Sequence, residues 1–379
     1  MFATLALVYA IQTHTEEVSR LRTLLPNGAV VLVTHRPTAD KLIIQLAIAD
    51  KNCPETATSN GQRHLLEHLM AKGVHKDVDR RLELRGAFLT AETDRDATVF
   101  TLNLKPGDLD LGLLAVSEIS SLGEQTKEDI AKEAEIIREE VALEDEPRKF
   151  SIAAWKAAFG DGGLDPMGDP DRLAQVTPAQ LSELHHTVFV GANVRLLIDG
   201  DVDLDAATKE ARPVLELIPD ASYKQTSRGR GTPGSASIDI EGAARAAIVP
   251  GASLMETAAS LAAALAVGAE IPGCFVTYTP TADYGLVIVG KVGDAHDMLH
   301  LIDTANPDQY FALGRSLAKE WVLNREAGSL GTIRALMVAG DAASHPEDIL
   351  ENLSQMGVGD FRSAFAKFRP GKAVSVVGQ

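Results

Sequence analysis

The stretch GQRHLLEHLM, residues 61–70, is the most informative part of this sequence. His64 and His68 are four positions apart, so a helix would present both imidazoles on one face, where they can share a metal ion. Glu67 lies on the same side and could take a proton from a water at the open position of that metal. The alternative is a solvated helix face that happens to carry two histidines and a glutamate. The H-x-x-E-H order favours a zinc site.

A second segment supplies candidates for a further ligand. A catalytic zinc needs three protein ligands and an open site, so the third ligand should come from another element. Residues 133–144 are dense in carboxylates, and Glu133 and Glu140 would lie two turns apart on one helix face. An ordinary charged surface helix is the alternative interpretation. The residues of this segment alone therefore leave the third ligand open.

Composition excludes several classes of protein. The chain has 379 residues, of which 45% are hydrophobic and 23% charged, as expected for a globular protein of two domains. A net charge of -17 argues against nucleic acid or an anionic membrane surface as the main partner. Two cysteines, Cys53 and Cys274, cannot build a disulfide framework. The sequence contains no apolar run of the length that a membrane-spanning helix needs.

The first residues allow two interpretations. Residues 2–10 (FATLALVYA) are apolar and end in Val-Tyr-Ala, which resembles a cleavage site, but the first basic residue is Arg20. This stretch is either an export signal with an atypical start or a short strand of the fold. We favour an exported, periplasmic protein over a cytoplasmic one, and the compartment stays open.

Periodicity predicts the elements that surround the motif. Apolar and β-branched stretches predict strands at 29–34, 42–49 and 98–104, whereas longer periodic segments predict helices at 62–72 and 126–144. The second of these helices opens on a capping-box pattern, in which a threonine is followed three positions later by a side-chain acceptor. The same pattern opens a further helix at Thr177. Strands, several helices and then strands again indicate an α+β fold.

The domain organisation follows from a change in composition. Residues 224–236 are polar, glycine-rich and basic, which is typical of a linker, and similar elements recur after them on a smaller scale. We expect two related α/β sandwich domains, each an antiparallel-rich sheet with helices packed on one face, the second shortened. The predicted segments are a leader or N-terminal strand at 1–20, a domain with the candidate zinc site at 21–223, the linker at 224–236 and a second, related domain without such a site at 237–379.

Together these features resemble the pitrilysin-like zinc peptidases, the family of the mitochondrial processing peptidase and its small bacterial relatives. Leu25-Pro-Asn-Gly28 matches the strand turn that opens the family's first domain. Pro166-Met-Gly168 and residues 193–201 match a later loop and strand. The segment IIREEV, residues 136–141, fits the family's V-[VI]-x-x-E-[IV] pattern at the expected distance after the histidines.

The resemblance implies roles for the residues of the motif. His64, His68 and Glu140 would hold one Zn²⁺ per chain, and Glu67 would be the general base toward the zinc-bound water. Glu133 would orient a zinc histidine or its water from behind. Glu139 as the ligand is the alternative register, but it would put Lys132 where the family has this second glutamate.

Two departures bear on the substrate site. The family often has Asn-Ala before the edge strand along which substrate adds, and here that pair is Thr90-Ala91, with the edge strand expected at Thr98–Leu104. In the second domain Tyr278 matches a family tyrosine that contacts substrate, but the arginine that usually precedes it is missing. This arrangement resembles bacterial pairs in which another subunit supplies the Arg/Tyr half of the site. We therefore expect a hetero-partner chain, or else a homodimer.

The expected function is that of a zinc metalloendopeptidase that hydrolyses extended peptides or small unfolded proteins. The alternative is a non-catalytic assembly subunit of a peptidase-like heterodimer. The intact Glu67 and both histidines favour the enzyme, whereas the altered second domain favours dependence on a partner.

Overall fold

The computed structural model of the protein describes residues 18–49, 55–221, 228–251, 254–325 and 346–378. These residues form two β-sheets with helices packed against them, which confirms the predicted α+β class. The leader expected in the first residues lies almost entirely outside the described ranges, as does Cys53. Within those ranges, no helix is both long enough and apolar enough to cross a membrane.

The first sheet contains the predicted central strands. Its strands in the described residues are β1 (Ser19–Leu24), β2 (Val30–His35), β3 (Leu42–Ile48), β4 (Phe88–Thr93), β5 (Thr98–Leu104) and β6 (Val194–Gly200). Their spatial order is β1-β2-β6-β3-β5-β4, with β2 and β6 parallel and the other neighbours antiparallel. Strands β2, β3 and β6 are buried on both faces, which explains their nearly continuous apolar sequences.

The prediction that Thr98–Leu104 is the edge strand was wrong. This strand, β5, pairs with β3 on one side and with β4 on the other, so β4 is the outer strand. The sequence of β4, FLTAET, has few apolar residues, and its side chains alternate between exposed and half-buried positions. Such a pattern suits an edge strand, which needs to bury one face only in part.

Helices cover one face of the first sheet. Their bounds are α1 (Gln62–Ala71), α2 (Val78–Glu83), α3 (Leu109–Ile119), α4 (Lys127–Ala142), α6 (Pro170–Leu173), α7 (Pro178–Val188) and α8 (Leu204–Leu215). Helix α5 (Glu146–Phe159) follows α4 in the chain but packs on the second sheet. Leu65 of α1 and Ile137 of α4 are fully buried in one core with Phe100 of β5. The predicted capping boxes are present at Thr126 of α4 and Thr177 of α7. This core therefore brings α1 and α4 side by side.

The second sheet is smaller. Its described strands are β7 (Ser235–Ile238), β8 (Gly242–Val249), β9 (Cys274–Tyr278), β10 (Gly285–Val292) and β11 (Val374–Gly378), in the order β7-β11-β8-β10-β9. The helices after β8 are α9 (Met255–Glu270), α10 (His296–Thr304), α11 (Phe311–Arg325), α12 (Pro346–Gln355) and α13 (Val358–Phe365). Small side chains on α9, such as Ala262 and Ala263, are fully buried and allow its neighbours to approach closely.

Helix α5 connects the two halves of the molecule. Its residues Phe150 and Trp155 belong to a separate apolar cluster with Ile288 of β10 and Val374 of β11. The second sheet is therefore covered by α5 on one face and by its own helices on the other. The domain boundaries at 223 and 237 stay a prediction, and α5 packs across them.

Candidate metal centre

The helix that carries the motif has a fixed starting point. Gly61 precedes α1 with a φ of 86°, a conformation that favours glycine. The Glu55 carboxylate accepts hydrogen bonds from the backbone N–H groups of Gly61 and Arg63, at 3.1 Å and 3.2 Å. The guanidinium Nε of Arg63 also lies 3.4 Å from the same carboxylate. This acidic cap satisfies N–H groups that a helix start leaves without partners.

Gly168 lies in a loop that packs directly against the start of this helix. A Cβ atom on Gly168 would lie 2.5 Å from the Cα of Gly61 and 2.7 Å from the backbone oxygen of Asn60. No side chain fits there, so the two backbones touch directly. The loop matched to the family in the sequence, residues 166–168, thus fixes where α1 begins.

Three potential ligand atoms converge where α1 faces α4. The Nε2 atoms of His64 and His68 are 3.2 Å apart, and Oε2 of Glu140 lies 3.5 Å from each of them. Zinc bonds of about 2.0–2.2 Å in tetrahedral geometry separate neighbouring ligand atoms by about 3.3–3.6 Å. The donor set and its dimensions therefore fit zinc. Glu139 is exposed on the neighbouring face of α4, which favours Glu140 over the alternative register.

Glu133 supports His68 from behind. Its Oε2 lies 3.3 Å from Nδ1 of His68, and its Oε1 lies 3.4 Å from Nζ of Lys72. When Nδ1–H donates to this carboxylate, the lone pair of Nε2 points to the other ligand atoms. Burial lowers the pKa of His68, but the hydrogen bond to Glu133 and the charges of Glu67 and Glu140 outweigh it, so the pKa is raised.

Glu67 lies beside the three ligand atoms in a buried position. One atom each of His64, Glu67 and His68 fall within 4.8 Å of one another. Burial raises the pKa of Glu67 to about 7, although a hydrogen bond from Thr93 and the charge of His68 act in the opposite direction. Oγ1 of Thr93 donates this bond to Oε2 of Glu67 at 2.7 Å. A carboxyl group of this kind can both accept and return a proton near neutral pH.

His64 is held in its neutral form. Burial, together with the charge of the neighbouring His68, lowers the pKa of its imidazole to about 4. Neutral imidazole is the form that binds a metal ion, so proton competition at this ligand is weak at neutral pH.

The remaining predicted site residues lie elsewhere. Thr90 and Ala91 are on the edge strand β4, Thr90 exposed and Ala91 directed to the core. Tyr278, on the outer strand β9 of the second sheet, is only 8% exposed. Its ring lies 5.7 Å from that of Trp321 in the core beneath the helices. The structure thus brings together the residues of α1 and α4 but buries Tyr278 in the second core.

Sequence analysis missed two residues that support the centre. Thr93 ends β4, and the alternation of that strand directs it to the same side as Ala91, toward Glu67. Recognition of β4 as a strand would have indicated this. Glu55 caps α1 from several residues before the helix, outside the usual spacing of a capping residue, so no local pattern pointed to it.

Comparison with known proteins agrees with this geometry. Residues 30–158 match the model of the insulinase family, peptidase family M16. An uncharacterized zinc protease of Mycobacterium tuberculosis is 27% identical over 226 residues, which cover 56% of this chain and 52% of that protein. The match thus spans about half the length of the curated relatives.

Two solved structures have the same fold. A protease from Helicobacter pylori superposes with a TM-score of 0.81 at 15% identity, covering 96% of this chain and 99% of that chain. The first half of the periplasmic protease PqqL from Escherichia coli has a TM-score of 0.71 at 18% identity, covering 95% and 91% of the two chains. Residues 30–158, which include His64, Glu67, His68 and Glu140, therefore form a domain of the insulinase type, peptidase family M16.

Proposed function

We propose that the protein is a zinc-dependent metalloendopeptidase that hydrolyses peptide bonds in extended peptides or small unfolded proteins. The observation that carries the proposal is the triangle of 3.2–3.5 Å formed by the ligand atoms of His64, His68 and Glu140, with Glu67 buried beside it. The match of residues 30–158 to the model of peptidase family M16, and the naming of bacterial relatives as zinc proteases, support the same chemistry.

The side chains of the centre divide the chemistry among them. His64, His68 and Glu140 would hold one zinc ion, which as a Lewis acid polarises a scissile carbonyl and lowers the pKa of a coordinated water. Glu67 acts as the general base toward that water and then passes the proton to the leaving amine. Glu133 keeps His68 in the tautomer that offers Nε2.

The edge of the first sheet is the proposed path for the substrate. Within the described chain, β4 pairs with β5 alone, so its outer side can accept an extended peptide as a further strand. Thr93 of this strand contacts Glu67. Ala91 and Thr90 lie two and three residues before Thr93 on the same strand. A peptide paired with β4 would therefore pass close to the general base.

A partner chain, or a second copy, is the further element of the proposal. The Glu140 side chain is 41% exposed, so the centre opens to solvent on one side. Tyr278 is buried in the second core, where it has little surface to offer a substrate. A hetero-partner that supplies an arginine and a tyrosine is favoured over a homodimer. The burial of Tyr278 also supports the alternative function, that of a non-catalytic assembly subunit.

Glu67→Gln tests the catalytic proposal. The amide keeps the size of the side chain but cannot take a proton, so we expect turnover of a quenched fluorescent peptide to fall by about 10²–10⁴-fold. Zinc content per chain should stay unchanged, because Glu67 is not a ligand. Glu139→Gln, a matched change on the exposed face of α4, serves as the control. Full turnover by the Glu67→Gln protein would refute the general-base role.

A further inference from the structure

The loop between β4 and β5, residues 94–97, is a contact point of the two halves of the molecule. We refer to it as the junction loop. Its Asp96 carboxylate is 8% exposed and accepts from two distant segments. One oxygen accepts from Nη2 of Arg228, and the other accepts the backbone N–H of Ala282 at 3.0 Å. Asp96 thus joins the first sheet to the segment between β9 and β10.

Arg228 uses its whole guanidinium group at this contact. Nη1 donates to the backbone oxygen of Tyr284 at 2.9 Å, and Nε donates to that of Gly162 at 3.2 Å. Its backbone N–H donates to Asp283 at 3.3 Å. The side chain is 8% exposed, and its guanidinium lies 5.4 Å from the ring centre of Trp155. A buried cation with three separate acceptors fixes geometry more than it adds stability.

A second arginine secures the same loop. Arg95 lies over the ring of Trp155, with its guanidinium carbon 4.2 Å from the ring centre, and Nη1 donates to the backbone oxygen of Leu164. Trp155 belongs to α5, the helix that covers the second sheet. The junction loop is therefore held by α5, by the turn after α5, and by Arg228.

The junction loop begins directly after the residue that contacts the general base. Thr93 ends β4, and its Oγ1 donates to Glu67 at 2.7 Å. The backbone turn of the loop is closed by a bond from Asp94 N–H to the oxygen of Ala97 at 2.8 Å. Arg228 is thus linked to Glu67 by its contact with Asp96, by the three-residue backbone from Asp96 to Thr93, and by the hydrogen bond from Thr93.

We infer that Arg228 and Asp96 are positioning residues for Glu67. They tie the junction loop to the second half of the molecule, so that Thr93 orients the Glu67 carboxylate when the two halves are docked. This inference rests on the proposed function. The inference predicts that the position of the Glu67 carboxylate depends on Arg228, although Arg228 itself contacts no described residue of the metal centre.

Kinetics of Arg228 variants test the inference. We expect Arg228→Met and Asp96→Asn to lower kcat by about 10–100-fold, as small displacements of catalytic groups do, with KM changed by less than about twofold. Arg228→Lys should not restore kcat, because an ammonium group cannot reach three separate acceptors. Arg362→Met, which removes an exposed ion pair with Asp308, is the matched control. A loss confined to KM, or full rescue by lysine, would overturn the inference.

A double-mutant cycle tests whether Arg228 affects kcat through Thr93. If Arg228 acts through Thr93, adding Arg228→Met to a Thr93→Val protein should lower kcat by less than about threefold, far below the product of the single effects. Independent, multiplicative losses would contradict a shared path. The substrate is the quenched fluorescent peptide that the unchanged protein cleaves fastest from a random library.

Amide hydrogen exchange tests the inference without measuring turnover. We expect Arg228→Met to speed amide exchange at residues 88–97 by at least about tenfold, while residues 109–119 of α3 and the Arg362→Met protein stay unchanged. Unaltered exchange at 88–97 would refute the positioning role. If the unchanged protein cleaves no peptide, the proposed function fails, and the exchange result still confirms or refutes the tie between the halves.

Discussion

Glu139 and Glu140 are neighbours on α4, but a helix directs consecutive side chains about 100° apart. Only Glu140 lies beside both imidazoles, 3.5 Å from each Nε2 atom. We expect Glu140→Gln to weaken zinc binding by more than about 100-fold, since even residues that only support ligands contribute 10–100-fold. Glu139→Gln should bind zinc normally. Zinc per chain after dialysis against a competing chelator measures both, and equal zinc loss in the two proteins would contradict the assignment.

The part of the metal centre that lies within one helix, the pair His64 and His68, could be predicted from the sequence. The i, i+4 spacing of His64 and His68 is a local property, and a helix alone brings their rings together. Glu140 came from the resemblance, and its position beside the histidines depends on the packing of α4 against α1. Thr93 was missed because β4 was not recognised as a strand; the contact of Thr93 with Glu67 follows from the alternation of β4 and its pairing with β5.

At the scale of elements, the start of α1 depends on Gly168. This glycine has a φ of 77°, which is unfavourable for alanine, and a Cβ there would also collide with Gly61. We expect Gly168→Ala to destabilise the first half by about 2 kcal/mol or more. Gly371 has the same φ of 77° with open space around it, so Gly371→Ala measures the conformational cost alone. Urea unfolding of both variants gives the difference, and equal destabilisation would show that the contact with Gly61 is unimportant.

Helix α7 contains a histidine whose protonation should oppose folding. Burial lowers the pKa of His185, and His186 lowers it further, although a bond to the Ser120 backbone oxygen raises it. The unfolded chain therefore binds this proton more readily, and stability should fall as pH drops below about 6.5. His185→Phe, which keeps the stacking on Phe189, should flatten the pH dependence of the unfolding midpoint between pH 7.5 and 5. An unchanged slope would contradict this.

Element prediction succeeded for the central strands of the first sheet and failed at its edges. Central strands such as β2 are apolar on both faces, and such runs stand out in the sequence. The edge strands β1 and β4 alternate between exposed and half-buried positions, so their composition does not distinguish them from loops. Edge strands are defined by which neighbour they pair with, and pairing is a tertiary property.

At the scale of the whole molecule, the two halves are not independent. The sequence indicated two related sandwiches joined by a polar linker, but it contained no sign that α5 packs on the second sheet. A helix has one apolar stripe whichever sheet it covers, so hydrophobic periodicity does not show which of the two sheets the helix packs on. Arg228, in a segment that resembles a flexible linker, is buried and forms three side-chain hydrogen bonds. A polar, glycine-rich composition is therefore compatible with a buried side chain that forms several hydrogen bonds.

Zinc should stabilise the whole first half, because its ligands come from α1 and α4, which meet only in the folded chain. Zinc at about 100 times its Kd would add about 2.7 kcal/mol and raise the unfolding midpoint by about 5–10 °C. Thermal unfolding of metal-free protein with and without zinc measures this. We expect no rise in the His64→Ala/His68→Ala protein. The His296→Ala/His300→Ala protein, which loses an equally spaced pair on the exposed face of α10, should respond like the unchanged chain. A full rise without His64 and His68 would mean that the stabilising zinc binds elsewhere.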